Sequence, residues 1–195
     1  MSIIQIEFNH IYKKYRNYVL KDFSYIIDNL KYNFIIGKNG SGKSTLIKCL
    51  FNLVNYKGNI KFNKDINLIY VPEKVFLPDY IKMIDFIKLL TKKEISEINS
   101  LLIKFNIDKY QNEYICNLSL GTKQKMMLIS GLLKSGDGYV FDEPLNGLDE
   151  NSILVFIDCL KQLMNEEKLI IIVSHRLNNY DFNEKRIIDI GYQND

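Results

Sequence analysis

Residues 37–45 read Gly37-Lys38-Asn39-Gly40-Ser41-Gly42-Lys43-Ser44-Thr45, which contains Gly, four residues, then Gly-Lys-Ser. An apolar run, Tyr32-Asn33-Phe34-Ile35-Ile36, precedes this stretch, and a helix-compatible run, Leu46-Ile47-Lys48-Cys49-Leu50-Phe51, follows it. Strand, glycine loop and helix is the local arrangement in which the pattern has a physical meaning. Glycines let the backbone curl so that successive N–H groups point inward as a nest for an anion. The helix that follows adds its positive N-terminal end. Lys43 is placed to reach the β- and γ-phosphates of a polyphosphate, and the Ser44 hydroxyl is placed for Mg²⁺. The alternative is a glycine-rich turn that binds nothing, and the flanking strand and helix argue against it.

The rest of the chain alternates strand and helix around that loop. Ile4, Ile6 and Phe8 alternate, and Val19, Phe23, Tyr25 and Ile27 form a second run, which predicts a half-buried antiparallel region. Asp28-Asn29 predicts a turn, and Gly58-Asn59 predicts another, leading into Ile60-Lys61-Phe62. Leu68-Ile69-Tyr70-Val71 reads as a short strand that Pro72 ends. From Met83 to Phe105, Ile84, Ile87 and Leu90, and then Ile95, Ile98, Leu101, Leu102 and Phe105, recur at helical spacing, and consecutive helices here break the alternation of strand and helix. Ser119 to Leu133 is helical again, and Gly136-Asp137-Gly138 turns the chain into the strand Tyr139-Val140-Phe141. A helix from Asn151 to Glu166 and strands at Leu169–Val173 and Ile187–Ile190 complete the pattern. The expected fold is α/β: a P-loop NTPase core with a mainly parallel sheet, an antiparallel β region, and an inserted helical subdomain over roughly 78–118. With 195 residues, 47% of them hydrophobic, the chain is expected to form a single domain over 1–195 around a real core.

Composition removes several function classes. Lys and Arg number 26 against 23 Asp and Glu, a net charge of +3, so no nucleic-acid partner is expected. Cys49, Cys116 and Cys159 lie far apart and form no C-x-x-C pair. They read as small hydrophobes in a reducing compartment. His10 and His175 are the only histidines, too few for a multi-histidine metal site. The first residues, Met1 to Glu7, lack the basic and apolar regions of a leader, and the longest apolar run, Leu169–Val173, is strand-sized. A soluble, cytoplasmic chain is expected.

Two further stretches carry chemistry. Tyr139-Val140-Phe141-Asp142-Glu143-Pro144 is an apolar strand ending in two carboxylates. Phosphoryl chemistry uses one carboxylate to position a metal and another group to orient or deprotonate the attacking water. Asp142 fits the first role and Glu143 the second. Leu118-Ser119-Leu120-Gly121-Thr122-Lys123-Gln124-Lys125 opens a helix. Ser119 is a natural N-cap, but capping alone does not call for Gly121 in the first turn, where it weakens the helix. Glycine and serine at a helix start suit a phosphate neighbour. Two phosphate-binding helix starts on one chain mean either two ligands or one ligand held between two copies.

Taken in order, these motifs resemble the nucleotide-binding domain of ABC transporters, the ATP-binding cassette, over nearly the whole chain. Gly37 to Thr45 resembles its Walker A motif and Tyr139 to Glu143 its Walker B. Leu118 to Gln124 resembles the LSGGQ signature, with Leu120 in place of the first glycine. Asn146-Gly147-Leu148-Asp149 resembles the D-loop, Ser174-His175 the switch histidine, and Tyr15 stands where the family has an aromatic that stacks on adenine. The resemblance implies ATP and Mg²⁺ as cofactors and an Mg-dependent ATPase. It implies a second ABC ATPase subunit, the same chain or a relative, in a head-to-tail dimer. Nucleotide contacts are then expected from Tyr15, Gly37, Asn39, Gly40, Ser41, Gly42, Lys43, Ser44, Thr45 and Asp149, with Ser119 and Gly121 reaching across from the other subunit. Ser44, Glu73 and Asp142 are expected to hold the metal, and Glu143 and His175 to serve catalysis.

The departures from the family pattern add detail. Glu73, in Tyr70-Val71-Pro72-Glu73, stands where the family usually has Gln. Pro-Glu there, and the Leu-Gly-x-Lys-Gln-Lys form of the signature, resemble the ABC-2-like exporter group. The C-terminal extensions of many relatives are missing, which implies a near-minimal cassette. The implied partner is an integral membrane permease subunit, probed by Phe76, Leu77 and Tyr80, which either line its docking groove or belong to the subdomain core. The chain is then expected to sit peripherally at the inner face of the membrane. A soluble ABC-type ATPase acting as an assembly scaffold is the rival reading.

Overall fold

Leu169–Val173 is apolar at every position and buried at every position. A strand of this kind needs cover on both faces, which a parallel sheet between layers supplies. The structure, a computed structural model, describes residues 3–74, 76–175, 177–178 and 180–191, so Met1 and Ser2 of the leader reading lie outside it. In chain order the elements are β1 (Gln5–Lys14), β2 (Tyr18–Asp28), β3 (Tyr32–Ile36), α1 (Lys43–Leu50), β4 (Lys57–Phe62), β5 (Leu68–Val71), α2 (Met83–Thr91), α3 (Ile95–Lys104), α4 (Leu120–Leu133), β6 (Gly138–Asp142), α5 (Glu150–Asn165), β7 (Leu169–Val173) and β8 (Lys185–Asp189).

Five strands pair in the order β5-β6-β7-β3-β8, every pair parallel. Their C-terminal ends therefore share one edge. Ile35 lies opposite Val173, Val173 opposite Asp142, and Phe141 opposite Val71. The loops leaving β3, β5, β6 and β7 consequently emerge side by side, where ligands of open α/β sheets bind.

The two faces of this sheet differ in side-chain size. Phe34, Tyr139, Phe141, Ile170 and Ile172 face a core that also takes in α2, α3, α4 and α5. Ile35, Val140, Ile171 and Val173 face α1, through Leu46, Ile47, Cys49 and Leu50, and the second sheet. That second sheet is antiparallel, in the order β2-β1-β4. Cys49 and Cys159 are buried and unpaired, and Cys116 is exposed and unpaired.

Two local expectations are corrected. Gly58-Asn59 lies inside β4 rather than in a turn, with Asn59 opposite Asn9. β1 bulges at His10, whose φ is 51°, and a Cβ on Gly58 would stand 2.1 Å from the His10 carbonyl oxygen. Glycine, at φ 102°, is thus needed for close approach in mid-strand. The consecutive helices expected between Met83 and Phe105 are α2 and α3. Lys92 caps α2 in the left-handed conformation, and the Thr91 hydroxyl donates to the Ile87 carbonyl while accepting from the Lys93 N–H. Both helices contribute to one core, α2 through Met83, Ile84, Phe86 and Ile87 and α3 through Ile98 and Leu102. The last strand, expected at Ile187–Ile190, is Lys185–Asp189.

Candidate nucleotide site

The loop between β3 and α1 is built around glycine backbone. Gly42 is the N-cap of α1 at φ 106°, and a Cβ there would meet the Val19 carbonyl oxygen at 2.8 Å. Lys43, 8% exposed, turns its ammonium back on the loop and donates to the carbonyls of Gly37 at 2.7 Å and Lys38 at 3.2 Å. A cation is thereby fixed at the mouth of the nest with donor capacity to spare. The Ser41 hydroxyl is buried with no hydrogen-bond partner among the described residues. An orphaned donor in a glycine loop ahead of a helix suits a polyphosphate oxygen.

Across the sheet edge, Asp142 ends β6 and is 5% exposed. The Ser44 and Tyr70 hydroxyls both hydrogen-bond to it, Tyr70 at 3.3 Å. Burial raises the Asp142 carboxyl above its ordinary value, against those two bonds, which favour the charged form. Burial, and then the charge of Asp142, raises the Tyr70 phenol, so it stays a donor. Glu73 follows β5 and accepts a hydrogen bond from the Asn146 amide at 3.4 Å. One hydroxyl and two carboxylates are the oxygen donors a hard divalent cation takes. Ser44, Glu73 and Asp142 therefore fit Mg²⁺ that shares its shell with phosphate and water.

Glu143 follows directly, at φ 49°, with its side chain only 11% exposed. His175, two residues beyond β7, places Nδ1 2.8 Å from Glu143 Oε2. With the proton on Nδ1 the imidazole donates to the carboxylate and fixes its direction, a base-and-orienter arrangement. Asn39, Gly40, Gly42, Lys43, Ser44, Thr45, Glu73, Asp142, Glu143 and His175 line one cleft of about 540 Å³. Gly37 and Ser41 border the adjoining cavity, which also reaches His175.

Four residues singled out in the sequence lie elsewhere. Tyr15 stands at the turn between β1 and β2, 55% exposed, with the Lys13 ammonium 4.8 Å from its ring centre. It does not line the cleft; Val19 of β2 does. Ser119 is the N-cap of α4, accepting from the Thr122 N–H, and lies outside the cleft. A Cβ on Gly121 would sit 3.0 Å from the Gly147 carbonyl oxygen, so this glycine lets the start of α4 approach the segment before α5. Asp149 caps α5 by accepting from the Ser152 N–H, and pairs with the Lys125 ammonium at 2.5 Å. The Lys125 bond, then the Ser152 N–H, holds its carboxyl down at about 2.

Sequence reasoning passed over Val19, Lys74 and Tyr70, and named Asn146 only within the D-loop resemblance. Asn146 had a signal, since it sits in the segment that follows the paired carboxylates. Tyr70 had none, because an aromatic in a short apolar strand reads as packing.

A nest on a strand-to-helix turn, a buried carboxylate on a neighbouring strand and a carboxylate–imidazole pair define a P-loop NTPase site. The family model described as ABC transporter matches residues 20–146. The chain belongs to the ABC transporter family, as an ATP-binding cassette. It is 37% identical over 151 residues to YthP of Bacillus subtilis strain 168, an uncharacterized ABC transporter ATP-binding protein. That match covers 73% of this chain and 64% of YthP, so it spans under two thirds of the relative. The zinc import ATP-binding protein ZnuC of Buchnera aphidicola subsp. Baizongia pistaciae is 31% identical over 193 residues, 96% of this chain and 81% of ZnuC. A solved ATP binding subunit of an ABC transporter superposes with a TM-score of 0.83 at 24% identity, over 95% of this chain and 86% of that one. At that identity the likeness speaks for the fold.

Proposed function

We propose that this chain is the ATP-hydrolysing subunit that powers a separate membrane permease, and that the transport it drives is export. One observation carries the partner. Phe76 is fully exposed at 100% and Tyr80 at 87%, both a few residues past Glu73. Large aromatics held in water suit a protein surface that covers them. Leu77 packs against the core beneath. Among the described residues no helix is long and apolar enough to cross a membrane. Export rests on Pro72-Glu73 and on the Leu120-Gly121-Thr122-Lys123-Gln124-Lys125 form of the signature.

The chemistry follows from the chain's own side chains. The loop N–H groups and Lys43 bind and orient the phosphates in a water-poor nest. Ser44, Glu73 and Asp142 would hold Mg²⁺, which supplies charge neutralisation on the phosphate oxygens. Glu143 accepts the proton of the attacking water, and His175 fixes the carboxylate that does so. Ser119 and Gly121 lie outside this cleft, which supports completion of the site by a second copy head to tail. The cassette is read as one unit over 1–195, with its helical part near 78–118.

Washed membranes from cells making the full transporter test the partner. The wild-type chain is expected to stay with them, and Phe76→Asp/Tyr80→Asp to wash off while still binding nucleotide. A wild-type chain found wholly in the soluble fraction contradicts the permease and favours the scaffold reading. For direction, ATPase activity of the reconstituted transporter is expected to respond to cargo on the cassette side, and a response only from the opposite side marks import.

A further inference from the structure

We propose that Tyr70 is a positioning residue for the metal carboxylate, its hydroxyl fixing the direction in which Asp142 meets the divalent cation. This rests on the reading of Asp142 as a metal ligand.

Three observations converge on this residue. The first is reach. Tyr70 pairs with Val140 across the β5–β6 ladder, yet its hydroxyl donates to Asp142 Oδ2 at 3.3 Å, two residues further along β6. A phenol is long enough to make that span, and a strand residue of ordinary length is not. The second is fixation. The Tyr70 ring stacks on Phe51, with centroids 5.1 Å apart and planes 24° from parallel. Phe51 is the C-cap of α1, the helix whose first turn carries Lys43 and Ser44. The hydroxyl is thus held between the phosphate-loop helix and the carboxylate.

The third is donor bookkeeping at a buried charge. Asp142 is 5% exposed and takes side-chain bonds from two hydroxyls, those of Ser44 and Tyr70. Ser44 is itself in the oxygen set that fits the cation, so its geometry changes with metal loading. Tyr70 has no such second duty. It stays on Oδ2 and leaves the remaining lone pairs of the carboxylate for the cation or its waters. Groups that orient a metal ligand commonly change metal affinity by about 10–100-fold when removed. A neutral donor at 3.3 Å belongs at or below the lower end of that range.

Tyr70→Phe keeps the ring and its stack and deletes one oxygen. Affinity for a fluorescent ATP analogue is measured by titration in EDTA and again across a Mg²⁺ series, for wild type, Tyr70→Phe and Asp142→Asn. In EDTA the Tyr70→Phe affinity is expected to stay within about twofold of wild type, since no phosphate contact is lost. The Mg²⁺ concentration that half-saturates the Mg²⁺-dependent gain in affinity is expected to rise about 3–10-fold. Turnover is expected to recover at high Mg²⁺, a split that a packing defect would not produce. If Asp142→Asn raises the Mg²⁺ requirement and Tyr70→Phe leaves it at the wild-type value, Tyr70 only packs and the proposal is overturned. If Asp142→Asn itself leaves the requirement unchanged, Asp142 is not a metal ligand and the underlying reading fails first.

Discussion

At the scale of single residues, the groups legible in the sequence are those whose chemistry is local. A nest needs its glycines, lysine and hydroxyl within nine positions, so Gly37 to Thr45 announces itself. The paired carboxylates Asp142 and Glu143 do so for the same reason. Tyr70 and Asn146 act on residues 72 and 73 positions away, and only the sheet register brings them there. Tyr15 shows the converse, a position matched by order of motifs whose ring lies outside the cleft. The lysine carries the prediction at this scale. Its ammonium sits 2.7 Å from the Gly37 carbonyl, anchored where phosphate charge would lie. Hydrogen bonds to charged groups contribute about 1.5–3 kcal/mol, so Lys43→Ala should weaken nucleotide binding roughly 10- to 150-fold. Equilibrium titration reads this directly, and unchanged affinity removes Lys43 from the site.

Between elements, strands and helices were readable from period, whereas their joints were not. The apolar spacing from Met83 to Phe105 announces consecutive helices but not the positive φ of Lys92 that ends the first of them. Gly58 looks like turn punctuation but answers a bulge 48 residues earlier. The joint with most consequence is at Lys125. Its side chain, 10% exposed, donates to the Phe105 carbonyl at the end of α3 and to Asp149 at the start of α5. One ammonium on α4 thus ties the helical segment to the core beside the signature. Removing a partner from a buried ion pair costs about 3–5 kcal/mol. Asp149 keeps 58% of its side chain in water, so solvent screening brings the expected cost of Lys125→Met down to about 1–2 kcal/mol by denaturant unfolding. The pH dependence has a definite sign. Asp149 titrates lower in the folded chain, at about 2, than the ordinary 3.8. Its contribution is complete above the ordinary value and is lost as pH falls through the folded one. The stability gap between wild type and Lys125→Met should therefore narrow as pH falls from about 4 to about 2. A gap that is constant over that window would mean the pair contributes nothing.

For the whole molecule, the fold was legible because the motifs come in one order and the strands between them alternate with helices. A parallel sheet then has to bring their C-terminal ends to one edge. What one chain's sequence left open is how many copies make a working site. The geometry sharpens that question, since Ser119 and Gly121 stand outside the cleft that holds Lys43, Asp142, Glu143 and His175. If a second copy supplies them, bound nucleotide holds two chains together until hydrolysis releases them. Glu143→Gln keeps the size of the side chain and one acceptor oxygen for His175 but removes the base. Loss of a general base lowers turnover about 10²–10⁴-fold. The metal and nucleotide contacts proposed for Ser44, Asp142 and Lys43 are expected to remain. The most direct measurement is phosphate release from Glu143→Gln and wild type at saturating Mg-ATP, with size-exclusion chromatography on the same samples. The account predicts phosphate release down by at least about 10²-fold and an ATP-bound dimer that persists. Phosphate release at the wild-type rate would contradict it, because Glu143 would then not be the carboxylate that activates water.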